Sequence, residues 1–133
     1  METPKTLQQG CLSAIDFALK IQADAAELGF DWSDITGALD KVVEEVQELK
    51  AALVHNERKE ALNELGDLFF SLLNVSRFLD ADPLMCLNGT SDRFQKRFAL
   101  VKQLAYEERC DLKNCTDDQL DCYWERAKKL VAQ

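Results

Sequence analysis

Apolar residues recur along this chain at helical rather than alternating spacing, and they divide it into five candidate helices. From about Lys5 to Leu28, Leu12, Ile15, Leu19 and Ala26 keep a helical period, and Gly29 supplies a stop. After the loop GFDWSD, with Asp31 or Ser33 as candidate caps, a second helix covers about Asp34 to Val54. Its stripe is Leu39, Val42, Val43, Val46, Leu49 and Leu53. The polar turn HNERKE leads to a third helix, about Lys59 to Leu79, which is apolar over most of its circumference and is therefore expected to be the buried centre. A connection this short makes the second and third helices antiparallel neighbours. Pro83 suits the first turn of a fourth helix reaching about Glu108, where Gly89 marks a place for an interruption. A Thr116/Asp117 cap opens the last helix, which reaches about Val131. The expected fold is all-α, a four- to five-helix bundle in a single domain over residues 1–133.

Composition supports this reading and narrows the function. The 133 residues contain five Gly and two Pro, few turn formers for an all-β chain. The net charge of −8 argues against binding a nucleic acid polymer, which wants a basic patch. It leaves open a nucleotide substrate whose charge a bound divalent cation offsets. No apolar run approaches the roughly 20 residues of a membrane span, and the start METPKTLQQG lacks the basic end and apolar run of a signal peptide. A cytoplasmic protein with reduced thiols is expected. Cys110, Cys115 and Cys122 with His55 are spaced too irregularly for a zinc site. The third helix has more apolar surface than a monomer of this size readily covers, so a homo-oligomer, dimer or tetramer, is expected.

The acidic residues carry the chemistry. In KVVEEVQELK, Glu45 and Glu48 are three apart, and Glu44 and Glu48 four apart, so each pair meets on the helix surface. In NELGDLFFSLLN, Glu64 and Asp67 repeat the spacing, and Glu60, Glu64, Asp67, Ser71 and Asn74 fall on one narrow polar line between apolar flanks. An antiparallel pairing of the two helices brings four carboxylates together. Without a cation they repel one another, and all-oxygen ligation suits Mg²⁺, Mn²⁺ or Ca²⁺. A di-iron bundle needs two Glu-x-x-His pairs, and His55 is the one histidine. The same scarcity disfavours a Ser–His or Cys–His nucleophile, leaving direct attack by water.

ExxE followed on the next helix by ExxD resembles the signature of the MazG and all-α nucleotide pyrophosphohydrolase superfamily. GFDW before LDKVVEEVQELK, the stretch NELGDLFFSLLNVSRFLDADP, TSDRFQKRF and CYWERAKKL also resemble that family, so the likeness runs from about Gly29 to Leu130. It implies Mg²⁺-dependent hydrolysis of nucleoside triphosphates to a monophosphate and pyrophosphate. It also implies Glu45, Glu48, Glu64 and Asp67 as metal ligands, with Glu45 or Glu48 taking the proton of the attacking water. Arg93, Arg97, Trp124 and Lys128 fall at the family's substrate-binding positions, Trp124 as a base platform. Arg93 stands where the family has Lys, and Ser91 where it has Asn. The alternatives are a dUTP, dCTP or phosphoribosyl-ATP pyrophosphohydrolase, and a non-catalytic helical dimerisation or nucleotide-binding module.

Overall fold

The structure, a computed structural model, describes residues 11–131. They form helices α1 (Cys11–Glu27), α2 (Ile35–Val54), α3 (Arg58–Phe78), α4 (Pro83–Glu107) and α5 (Asp117–Leu130), with a 3₁₀ turn at Leu112–Asn114. No strand occurs among the described residues, as the helical periodicity required. The expected start of the first helix, residues 5–10, lies outside them. None of the described helices is long and apolar enough to cross a membrane.

Local chemistry accounts for the ends of these helices. Gly29 takes φ 91° after α1, a backbone angle that L side chains rarely adopt, and its N–H donates to the Ala26 carbonyl at 2.9 Å. The cap of α2 is Asp34, whose carboxylate accepts from the Thr36 N–H at 2.8 Å. This corrects the expectation of Asp31 or Ser33. Asp31 is engaged elsewhere, because Arg77 of α3 takes both its oxygens, Nη2 to Oδ1 at 2.6 Å and Nη1 to Oδ2 at 3.0 Å. Helix α4 runs unbroken through Gly89, against the expected interruption. One helical glycine costs only about 1 kcal/mol, which a long helix absorbs. Thr116 caps α5 as expected, in a reciprocal capping box with Gln119.

The described chain forms two compact units that divide between Pro83 and Leu84. In the first unit, α2 and α3 pair as a hairpin closed at His55–Glu57. Its seam consists of small and polar side chains. On α2 the buried residues are Ala38, Glu45 and Ala52, seven apart, and on α3 they are Ala61, Glu64 and Ser71. The large apolar residues of α3 face outward instead, with Leu65 41% and Phe69 63% exposed. The expectation of a buried third helix is therefore not met within this chain. Glu64 and Ser71 of its polar line turn inward while Glu60 and Asp67 stay exposed, and its apolar stripe Leu62, Leu65, Phe69 and Leu72 turns to solvent. In the second unit Val101, Ala105, Tyr123 and Ala127 form the core. The Tyr123 hydroxyl donates to Glu108 at 2.8 Å, and Arg126 pairs with the same carboxylate at 2.7 Å.

Gly37, in the first turn of α2, lies under the indole of Trp32, so a Cβ there would come within 2.9 Å of Cε3. Replacing a helical Gly by Ala ordinarily stabilises by about 1 kcal/mol. Gly37→Ala is expected to give no such gain in thermal melting, because the Trp32 ring must shift. In the Trp32→Ala background the gain should reappear. Equal gains in both backgrounds would remove the close approach as its cause.

Candidate active site

Glu45 sits in the middle of the α2–α3 seam and is 3% exposed. A buried carboxylate needs a cation or hydrogen-bond donors. Lys41, one turn earlier, meets Glu45 Oε1 at 2.8 Å and shares its ammonium with the exposed Glu44 at 3.2 Å. The Lys41 hydrogen bond holds the Glu45 carboxyl below its usual range, against the opposing effect of burial. Glu44, whose role the sequence left open, thus helps to hold Lys41 in place.

Glu64 faces this site from α3 and is 7% exposed. Its carboxyl is pushed up to about 7, first by Glu45 and then by desolvation and the nearby Glu60 and Glu48. Glu45, Glu48 and Glu64 each bring one carboxylate oxygen within 4.8 Å of the others. Asp67, the fourth acid expected here, is exposed one turn further along α3 and outside this trio. Glu45 Oε2 and Glu64 Oε2 are buried with no hydrogen-bond partner among the described residues. Two orphaned carboxylate oxygens within an acidic trio fit a hard divalent cation, which would satisfy both and relieve their repulsion.

Beside the trio lies a cavity of about 470 Å³, bounded by α1, the loop after it, α2 and α3. Trp32, Phe30, Phe70, Ile21 and Ala25 contribute apolar walls. Lys41 lines it while pairing with Glu45, so the cavity and the acidic trio share a wall. Asn74, the last residue of the polar line, supplies a polar group to its lining, as do Gln22 and Arg77, to which sequence periodicity assigned no role. The signal available in sequence was Trp32 next to an acidic helix, which by itself fits packing as well as binding.

The expected substrate-binding residues lie on the second unit. Arg97 reaches over the Trp124 ring at 5.8 Å, and Phe94 is 5.6 Å from the same ring. Trp124 also packs on that unit's core. Arg97 Nε is a buried donor without a partner among the described residues. Arg93 is exposed and donates to Thr90 at 3.0 Å, while Lys128 pairs with Glu125 at 2.6 Å. Cys110 and Cys115 meet with their Sγ atoms 2.7 Å apart. No third ligating side chain joins them among the described residues.

Comparison with known proteins bears on this site. Residues 22–81, which include the whole acidic hairpin, match the family described as phosphoribosyl-ATP pyrophosphohydrolase. Over 115 residues the chain is 39% identical to the nucleoside triphosphate pyrophosphohydrolase/pyrophosphatase MazG of Thermotoga maritima, covering 86% of this chain and 44% of that protein. Over 122 residues it is 29% identical to the nucleoside triphosphate pyrophosphohydrolase of Escherichia coli K12, covering 89% of this chain and 46% of that protein. A stretch of 66 residues is 36% identical to the uncharacterized protein YabN of Bacillus subtilis, covering 50% of this chain and 14% of that protein. The chain spans less than half the length of each of these relatives.

The acidic trio predicts a pH-dependent stability. The metal-free folded chain keeps the Glu64 proton up to about pH 7, whereas the ordinary glutamate value is 4.5. Between those values the folded state binds more protons than the unfolded one. Stability from this group is therefore present below pH 4.5 and lost as pH rises through about 7. Metal-free melting temperature should fall over that window, and Glu64→Gln should flatten the fall. A divalent cation needs the ionised carboxyls, so its stabilisation should grow over the same window and vanish in Glu64→Gln. An unchanged metal-free profile in Glu64→Gln would contradict the assignment.

Proposed function

The chain carries a MazG-like pyrophosphohydrolase domain, and from that premise we propose that it hydrolyses (deoxy)nucleoside triphosphates to the monophosphate and pyrophosphate. The observation that supports this most directly is the trio Glu45, Glu48 and Glu64 with its two orphaned, buried oxygens. Those three would hold Mg²⁺, with Asp67, exposed one turn further along α3, as the remaining ligand, and Mn²⁺ could substitute. When bound, the ion neutralises phosphate oxygens and acidifies water. Glu48 takes the proton of the attacking water. It is favoured over Glu45 because Lys41 holds Glu45 ionised and weakens it as a base. The family likeness assigns Arg93, Arg97 and Lys128 of the second unit to the departing pyrophosphate, and within that unit the Arg97 guanidinium lies over the Trp124 ring.

The proposal extends to setting and assembly. A cytoplasmic enzyme of nucleotide-pool cleaning fits the substrate class and the net charge of −8. Leu62, Leu65, Phe69 and Leu72 form an exposed stripe at heptad spacing on α3. A second copy of the chain would cover it, which supports a homo-oligomer, dimer or tetramer. Light scattering at micromolar concentration should therefore give a mass above the 15.1 kDa of one chain.

Pyrophosphate release from a panel of nucleoside triphosphates, with Mg²⁺ and with excess chelator, tests the activity. Release should require the metal, and Glu48→Gln should abolish it with the fold intact. Arg97→Ala should lower kcat/KM by about one to two decades, the value of one charge-assisted contact, while the metal-induced rise in melting temperature remains. Full turnover in chelator would overturn the metal-dependent mechanism.

A further inference from the structure

The turn between α4 and α5 brings together two cysteines for which the acidic site has no use. Just past the end of α4, Arg109 takes φ 53°, in the left-handed region that L residues seldom enter, and the chain turns back there. The Cys110 N–H then donates to the Ala105 carbonyl at 2.8 Å, which anchors Cys110 to the last turns of α4. The 3₁₀ turn that follows delivers Cys115. Asp111 holds this turn in shape: its carboxylate accepts from the Lys113 N–H at 3.1 Å and from the Asn114 side-chain amide at 3.3 Å, and its carbonyl accepts from the Asn114 N–H at 2.9 Å. The two sulfurs meet at 2.7 Å as a result.

The surroundings narrow what such a pair can do. Both cysteines pack on the Val101, Ala105, Tyr123 and Ala127 core, yet both are only half-buried, so a small reagent can reach them. Both are free thiols, and two sulfurs alone fall short of the four ligands of a structural zinc site. Two thiols in contact can by themselves exchange with a disulfide. The Cys115 thiol is pushed up to about 11, first by its hydrogen bond to Cys110 and then by burial. Cys115 thus keeps the proton between the sulfurs, which leaves Cys110 to attack.

We propose that Cys110 and Cys115 form a reversible dithiol–disulfide site for low-molecular-weight disulfides, which locks the α4–α5 turn when oxidised. Cys110 gives its proton to solvent and its thiolate attacks one sulfur of the small disulfide, whose S–S bond breaks and whose other half leaves as a thiolate. Cys115 then gives its proton to solvent and attacks Cys110 Sγ, which breaks the mixed disulfide and releases the second thiolate. Two protein thiols are oxidised to one disulfide, and the small disulfide is reduced to two thiols that take up the two protons. The turn already seats the sulfurs together, so closure needs little rearrangement, and the closed loop restricts the unfolded chain. In the reducing compartment proposed above, a bond of this kind is transient and reports the thiol balance. The site lies in the second unit and does not depend on the hydrolytic reading.

The test exposes reduced Cys122→Ser chain to oxidised glutathione and maps it with trypsin without reduction. Trypsin cuts after Arg109 and Lys113, so a Cys110–Cys115 bond links fragment 110–113 to fragment 114–126, and with Cys122 removed no other bond within the chain links those two. The linked fragments should appear without retained glutathione, and dithiothreitol should separate them. Adding Cys115→Ser should instead leave one glutathione on Cys110, whereas Cys110→Ser should be modified more slowly at Cys115. Oxidation should raise the melting temperature of Cys122→Ser, reversibly, and leave that of the Cys115→Ser chain without the rise. Should Cys115→Ser fail to fold, the linked fragments and the reversible melting shift of Cys122→Ser decide. Unlinked fragments while the exposed Cys86 is modified, glutathione retained on Cys110 with Cys115 present, or linkage with no rise in melting temperature would overturn the proposal.

Discussion

The facing of Glu45 and Glu64 across the α2–α3 seam is the constraint on which the rest of the first unit depends. Alanines before and after Glu45 let the two helices come close, and close helices bring the two carboxyls together. Neither is comfortable there without a cation. Lys41 supports one side, which leaves Glu64 to retain its proton up to about neutral pH. Once Glu64 is ionised the carboxyls repel each other, a repulsion that a divalent ion would relieve, and a site of this kind would couple metal binding to stability.

That constraint explains why α3 is turned inside out. A helix can present one face to its neighbour, and here the face that meets α2 is the polar one, with Ala61, Glu64 and Ser71 buried. The apolar stripe must then point away, and a single chain leaves it in water. In the assembly proposed above, a second copy of the chain would cover it. The acidic site and the apolar stripe are two faces of one helix, so both are presented by the same short element.

The remaining part of the unit is organised by hydrogen bonds that sequence patterns do not announce. The Asp31–Arg77 pair ties the loop after α1 to the end of α3, and Gln22 ties α1 to the middle of α3. Between these ties the aromatic residues of the loop cover a chamber next to the trio. Gly37 matters because its missing Cβ leaves the space that Trp32 occupies.

The sequence by itself determined the all-α class, the five helices, the hairpin of the two acidic motifs and the likeness to pyrophosphohydrolases. Each follows from information local to the chain: apolar period, capping residues such as Thr116, and the three-residue spacing of carboxylates, which a helix converts directly into adjacency. Three things were settled only by the tertiary structure. Asp34 caps α2 because a residue 46 positions away claims Asp31. The third helix buries Glu64 and Ser71 because α2 offers alanines and a glutamate there, and periodicity reports that a helix has two faces without saying which one meets its neighbour. Gln22 links α1 to α3 because its amide donates to the Phe70 carbonyl, 48 residues distant, leaving one oxygen unmatched. An unpaired atom is a property of what surrounds it in space, and no pattern along the chain can express it.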